Sequence, residues 1–376
     1  MRRLKLGVVG VGRAFALTAP TLARDKRVEL VAAADPRPEA VEKAEKEFGA
    51  KGFRHFDELL KSAAEVIYIA TPHRFHADLA IAAAKAGKHV LVEKPMALSL
   101  GECRAMAAAA KKHRVHLIVG PSHSFDAPIH KTRELIPQFG RVRMITAFNF
   151  TDFLYRPRMP DELEHALLNQ SAHHVDIVRL LAGAPMKSVR AHTARWDRGQ
   201  GAYSALLSFK DSFATLVYSG NAHFDSDELT GWIGELGHKK DPSQYGSARK
   251  ALSRGKESKL KRARNYGGSE FKPGKAQFHE HFGPIIISCD KADLRPLPNG
   301  VMIYADGERR LEPLPLTDAP RSGVIDELYQ AVVNRKAPLH DAAWGLATTE
   351  ACLALLESAR TGKEVLLKHQ TSASRT

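Results

Sequence analysis

Over the first 120 or so residues, apolar and polar positions alternate between two periods. Short apolar, β-branched runs at 4–9, 28–34, 65–70, 89–92 and 115–119 read as buried strands. Between them, stretches at 14–24, 38–48, 76–86 and 100–113 place apolar residues at helical spacing. Strands separated by helices of roughly 10–15 residues predict βαβ units and a doubly wound parallel sheet. After Pro121 the texture changes. Strand candidates at 142–150, 189–196, 203–209, 214–219, 231–235, 284–288 and 301–304 follow one another through short turns such as Phe209-Lys210-Asp211-Ser212. That succession predicts a second, open and mostly antiparallel sheet. Helices are predicted at 171–181, 324–334 and 341–361. The reading is therefore α/β, with a nucleotide-type domain over 1–122, an α+β domain over 123–367, and a polar, disordered tail over 368–376.

Length supports two cores, since 376 residues exceed what one core usually organises. No apolar run reaches the roughly 18 residues that would suggest a membrane span. The start, MRRLKLGVVG, has a basic pair but a short apolar run and no cleavage signal. Cys103, Cys289 and Cys352 are far apart and lack a metal-type spacing, which predicts reduced thiols in a cytoplasmic protein. The formal charge is +14, and residues 238–264 hold ten Lys/Arg against Asp241 and Glu257, a net of +8. This run, within an insertion at 238–268, reads as a solvated surface rather than a nucleic-acid contact. The positive charge also favours a small anionic substrate.

Candidate chemistry begins where the first strand ends. Gly7-Val-Val-Gly10-Val-Gly12 lies between that strand and the first helix. Gly10 permits a tight turn, and Gly12 lets the backbone approach a pyrophosphate at the helix N-terminus, with Arg13 following. The third small residue of a dinucleotide fingerprint is replaced by Phe15. Asp35 ends the second strand, where a carboxylate accepts ribose hydroxyls and repels a 2′-phosphate, so NAD is expected over NADP. Arg37 is the residue that could accommodate the phosphate. Lys94 sits at the end of another buried strand, before Pro95, where a positioned ammonium can act as an acid or base.

Taken together, GVVGVGRAF, ATPHRFHAD at 70–78 and VEKPMAL at 92–98 resemble the glucose-fructose oxidoreductase/inositol dehydrogenase/MocA family. SAHHVDIVRLL at 171–181 and the closing helix at 345–365 extend the resemblance over nearly the whole chain, the basic insertion excepted. Within the family, HSFDAPI, NFTDFLYRPR and SGNAHFDSDELTGWIGELG resemble a branch that oxidises phthalate 4,5-cis-dihydrodiol. The resemblance implies a Rossmann domain and a substrate-binding domain that also oligomerises. It further implies NAD-dependent hydride transfer from a ring carbon bearing a hydroxyl. Lys94 and His173 correspond to catalytic residues, and Thr71, Pro72, His73 and Glu93 to the cofactor's path. Asp176, one helical turn beyond His173, corresponds to a residue that orients it. Asn169 stands where the family often has an aspartate, so Lys94 and His173 would share the acid–base work.

Oxidising an alcohol needs a base for the hydroxyl proton and a cation for the developing alkoxide. Lysine and histidine can do both, whereas arginine stays protonated. Arg156 and Arg158 are candidates for a bidentate carboxylate clamp, and His123, Phe125 and Tyr155 for pocket lining. His279 and His281 lack a third ligand at a convincing spacing, so no metal is expected. Two further readings stand beside the dihydrodiol one: a sugar or inositol dehydrogenase acting on a polyol, and a non-catalytic NAD(P)-sensing binding protein. A homo-oligomer is expected, and no membrane or nucleic-acid partner.

Overall fold

The computed structural model describes residues 2–152, 163–196, 201–254, 256–270, 275–316 and 319–373. The chain divides into two compact units: Met1–Pro121, Ser258–Gly274 and Asp318–Thr349 form one, and Ser122–Glu257, Lys275–Thr317 and Glu350–Thr376 the other. The boundary expected near residue 122 is thus crossed repeatedly. Alternating strands and helices mark the first crossing. Nothing in hydrophobic periodicity marks the two returns.

The first unit carries a six-stranded parallel sheet. Its strands are β1 (Leu4–Val9), β2 (Val28–Ala34), β3 (Lys51–Phe53), β4 (Val66–Ile69), β5 (His89–Val92) and β6 (Leu117–Val119), in the order β3-β2-β1-β4-β5-β6. They alternate with α1 (Arg13–Arg24), α2 (Pro38–Phe48), α3 (Phe56–Leu60), α4 (His76–Lys85) and α5 (Leu100–His113). Both faces are covered, so Val66, Ile67, Tyr68 and Ile69 are buried as one continuous run. Register decides where function can sit. Val9 pairs with both Ala34 and Ile69, and Ile69 with Val92. The residues that follow these strands therefore leave the sheet along one edge, at the β1/β4 switch point where open α/β sheets bind ligands.

The second unit has a nine-stranded mixed sheet ordered β14-β13-β12-β11-β7-β10-β9-β8-β15. The strands are β7 (Val142–Phe150), β8 (Ser188–Ala194), β9 (Ala202–Ser208), β10 (Phe213–Ser219), β11 (Ile285–Cys289), β12 (Ala292–Leu297), β13 (Gly300–Ala305), β14 (Glu308–Pro313) and β15 (Val365–Leu366). Among the described residues only the β7–β10 pair is parallel, so the expected mostly antiparallel sheet is present. Helix α6 (Ala127–Leu135) packs on β12 and β13, and α7 (Leu163–Ala182) on β7 and β10. On the sheet's other face Leu206, Phe213 and Ile286 are about two-fifths exposed.

Two expectations are corrected. Residues 231–235 form no strand: Gly231 caps a 3₁₀ turn (Ser226–Thr230) at φ 72°, and Ile233 makes only an isolated bridge to Lys239. The tail is held over its described part, because Glu350 accepts from the backbone N–H groups of Lys368 (2.7 Å) and His369 (2.9 Å), and Arg179 donates to Thr371 Oγ1 (3.1 Å). The basic insertion is tied down as well as solvated. Lys240 pairs with Asp225 at 2.8 Å, and Arg249 donates to the carbonyls of Asn221 and Ala222, both at 2.8 Å.

Candidate functional site

Four of the strand-end segments in the first unit hold the residues expected to meet a cofactor. Gly10 has φ +88°, and a Cβ there would lie 2.7 Å from the Ala70 carbonyl oxygen, so only glycine fits this turn. Gly12 precedes α1, and a Cβ there would meet nothing within 4 Å. The space where a Gly12 side chain would begin is therefore open, as close approach of a pyrophosphate to the backbone requires. Asp35 is buried, and its Oδ2 accepts from the Val11 N–H at 2.8 Å. Arg37 donates to Asp35 through Nε (2.9 Å) and Nη2 (3.0 Å), and Nη2 also reaches the Val11 carbonyl at 2.6 Å. The arginine nominated for a 2′-phosphate is thus engaged by the carboxylate that repels one. The buried Thr71 Oγ1 has no hydrogen-bond partner among the described residues. An open glycine turn, a carboxylate at the end of β2 and an unpartnered hydroxyl after β4 fit a dinucleotide.

Pro72 and His73 open a short 3₁₀ turn, and the His73 ring lies edge-on to His76, 5.5 Å between centres. His76 opens α4. It is fully buried, with one ring nitrogen 3.0 Å from the Thr71 carbonyl and the other 3.1 Å from that of Pro95. It ties the segment after β4 to the segment that carries Lys94. Burial pulls its pKa down, against those carbonyl contacts. Lys94 is half-buried. Glu93, expected along the cofactor's path, turns inward: it accepts from the Tyr68 hydroxyl at 2.6 Å, which in turn contacts Thr18 Oγ1 at 3.1 Å. Burial raises the pKa of Glu93, opposed by the charge of Arg321 and by the Tyr68 bond.

In the second unit, α7 places Asn169, His173 and Asp176 at spacings that share one helical face. His173 and Asp176 are buried. Asp176 accepts from the hydroxyls of Ser122 and Ser124, the latter at 2.5 Å, which fixes its carboxylate. The His173 ring packs 4.7 Å from His123 and 4.6 Å from Phe282, centre to centre. Phe125, in the same 3₁₀ turn as His123, is buried. Tyr155, Arg156 and Arg158 lie outside the described residues. His174 sets Nδ1 2.7 Å from the Tyr203 hydroxyl and its ring edge-on to Phe282 at 4.8 Å, and burial lowers its pKa to about 3. His279 and His281 each set Nε2 against a backbone carbonyl, Leu314 at 3.2 Å and Ile233 at 2.8 Å. Among the described residues no group of three His, Cys, Asp or Glu could hold a metal, and no helix is long and apolar enough to cross a membrane.

His123 is the charged member of this cluster. Burial disfavours its imidazolium, but Asp126, 2.7 Å from Nδ1, and Glu235, 3.4 Å from Nε2, overcome it and push the pKa up to about 10. A pKa raised above the unfolded value of about 6.5 stabilises fully below that pH, and the contribution is lost as pH rises through about 10. The wild type's advantage in melting temperature over Asp126→Asn is therefore expected to be largest near pH 6 and to shrink toward pH 10. A gap that stays constant over that range would show that the His123 charge plays no part.

With this geometry in place, comparison with known proteins identifies the class. Residues 4–121 match the oxidoreductase family with an NAD-binding Rossmann fold, the glucose-fructose oxidoreductase/inositol dehydrogenase/MocA family. A 1-carboxy-3-chloro-3,4-dihydroxycyclohexa-1,5-diene dehydrogenase of Comamonas testosteroni is 42% identical, over 98% of this chain and 98% of its own. A solved structure from Bordetella bronchiseptica RB50, described as a candidate dehydrogenase, is 37% identical with a TM-score of 0.91, over 97% of this chain and 100% of its own. The WlbA dehydrogenase of Bordetella pertussis, solved with NADH and UDP-GlcNAcA, shares the fold at 23% identity and a TM-score of 0.68, over 98% and 99% of the two chains. The chain belongs to this family and is an NAD-binding oxidoreductase.

Proposed function

We propose that the protein oxidises a carboxylated cyclic cis-dihydrodiol, of the phthalate 4,5-dihydrodiol type, to the corresponding dihydroxy-aromatic acid. The observation that carries this reading is the full-length likeness to a dehydrogenase of a carboxylated cyclohexadiene diol. A carboxylate on the substrate ring calls for a cation, and His123 is not the one, because Asp126 and Glu235 already engage its two ring nitrogens. Arg156 and Arg158 remain part of the proposal as a carboxylate clamp.

NAD held by the strand-end residues of the first unit would supply the hydride acceptor. The chain's own residues do the rest. Asp35 would hold the ribose hydroxyls, and the N–H groups at the start of α1 the pyrophosphate. Lys94 and His173 remove the hydroxyl proton and stabilise the oxygen as it becomes a carbonyl. The hydride leaves the carbon of one CH–OH group and the proton leaves its oxygen, giving a ketone. The ketone tautomerises to the aromatic diol, and aromatisation draws the reaction forward. The same reading has the protein working as a homo-oligomer through the face that exposes Leu206, Phe213 and Ile286.

The test is the appearance of NADH with a panel of carboxylated dihydrodiols, uncharged dihydrodiols and neutral cyclitols. Turnover is expected with the carboxylated diols first. Preference for a cyclitol would move the assignment to a polyol dehydrogenase. No NADH from any of them, with NAD binding intact, would favour a sensing role.

A further inference from the structure

Phe15 stands where a dinucleotide fingerprint calls for a third small residue, and the structure shows what receives it. Its ring is fully buried, edge-on to Phe48 at 6.1 Å and to Tyr266 at 4.9 Å. Phe48 ends α2, close in sequence. Tyr266 comes from the far end of the basic insertion, in the part that returns to the first unit. After the helix Glu257–Ala263, a tight turn delivers it. Gly268 N–H donates to the Asn265 carbonyl at 2.8 Å, and a Cβ on Gly268 would sit 2.3 Å from the Ala263 carbonyl oxygen.

That turn grips the nucleotide side of the unit at several points. The Tyr266 N–H points at the Gly12 carbonyl, 3.4 Å away. Arg13 Nη1 donates to the Arg264 carbonyl at 3.1 Å. The Tyr266 hydroxyl donates to Glu47, and the Lys43 ammonium lies 4.9 Å from the ring centre. Burial, and then Glu47, raise the phenol's pKa, so it stays a donor. One short segment thus touches the glycine turn, the first residue of α1 and the outer face of α2.

We propose that residues 258–270 are a strap that positions the glycine turn for the cofactor's pyrophosphate, with Tyr266 as its positioning residue. A small residue at position 15 would let α1 lie close to the sheet without help. A phenylalanine there needs a receiving surface, and the strap completes it. The direction of the first N–H groups of α1, which meet the anion, then depends on a segment some 250 residues away in sequence. Tyr266 touches no reacting atom in this scheme, so its loss acts on cofactor affinity.

Two measurements test this on the full-length protein. In NAD titrations followed by calorimetry, Tyr266→Ala is expected to weaken binding roughly tenfold, about 1.4 kcal/mol. Tyr266→Phe keeps the ring against Phe15 and is expected to bind NAD nearly as the wild type does. Wild-type affinity in a folded Tyr266→Ala, whatever its melting temperature, would overturn the proposal. Hydrogen exchange on the wild type needs no variant: NAD should slow amide exchange at 264–268 as well as at the start of α1. Exchange at 264–268 that ignores saturating NAD would equally overturn it.

Discussion

Lys94→Ala is expected to lower kcat by roughly 10²–10⁴-fold, the usual weight of a positioned acid–base group, while NAD binding in titrations stays close to wild type. The argument rests on where the residue stands. Lys94 follows β5 on the sheet edge that also carries Gly10, Asp35 and Thr71, and His76 ties its loop to the one after β4. Its assigned partner is the reacting hydroxyl, whose proton leaves only in the transition state, so its loss should fall on kcat more than on affinity. Lys94→Arg separates charge from proton transfer. Arginine keeps the cation but cannot accept a proton, so turnover should stay lost. Restored turnover in the arginine variant would reduce Lys94 to an electrostatic role. Equal losses of kcat and NAD affinity in the alanine variant would make it a cofactor ligand instead.

Much of this was legible in the sequence because it depends on local pattern. Five of the six strands of the first sheet appear as apolar runs, and the glycine turn and strand-end residues follow by position, whereas the edge strand β3, Lys-Gly-Phe, is short and not buried, so no apolar run marks it. The second sheet was read less completely. β14, ERRLEP, is an edge strand whose charges guard it against further pairing and hide it from a hydrophobicity reading. The Asp306-Gly307 pair between β13 and β14, with Gly307 at φ 76°, was the available hairpin signal. Helix α7 begins eight residues before the expected 171 because Asn169, Gln170 and Ser171 look like a helix start. Instead Ser171 returns its hydroxyl to the Leu168 carbonyl at 3.2 Å. Long-range facts had no local sign. Nothing near Phe15 announces Tyr266, and nothing in Val-Glu-Lys-Pro shows that Glu93 turns inward to Tyr68.

The two glycines of the fingerprint are expected to fail differently, and the difference tests the cofactor site without any substrate. At Gly10 the backbone is in the left-handed region, and an added Cβ would stand 2.7 Å from Ala70 O, 2.8 Å from Ala70 C and 2.9 Å from Thr71 Cγ2. Two of those atoms are backbone and cannot swing aside. The conformation alone costs a non-glycine residue roughly 1–2 kcal/mol, so Gly10→Ala should lower the melting temperature as well as NAD affinity. At Gly12 φ is −100° and the added Cβ meets no protein atom within 4 Å. Gly12→Ala should therefore melt with the wild type yet bind NAD about 100-fold more weakly, close to 2.7 kcal/mol, because the methyl occupies the space through which the backbone approaches the pyrophosphate. Melting curves and NAD titrations on the two variants decide it. If Gly12→Ala binds NAD normally, the pyrophosphate does not lie over this turn, and the roles proposed for Asp35, Thr71 and Lys94 lose their anchor.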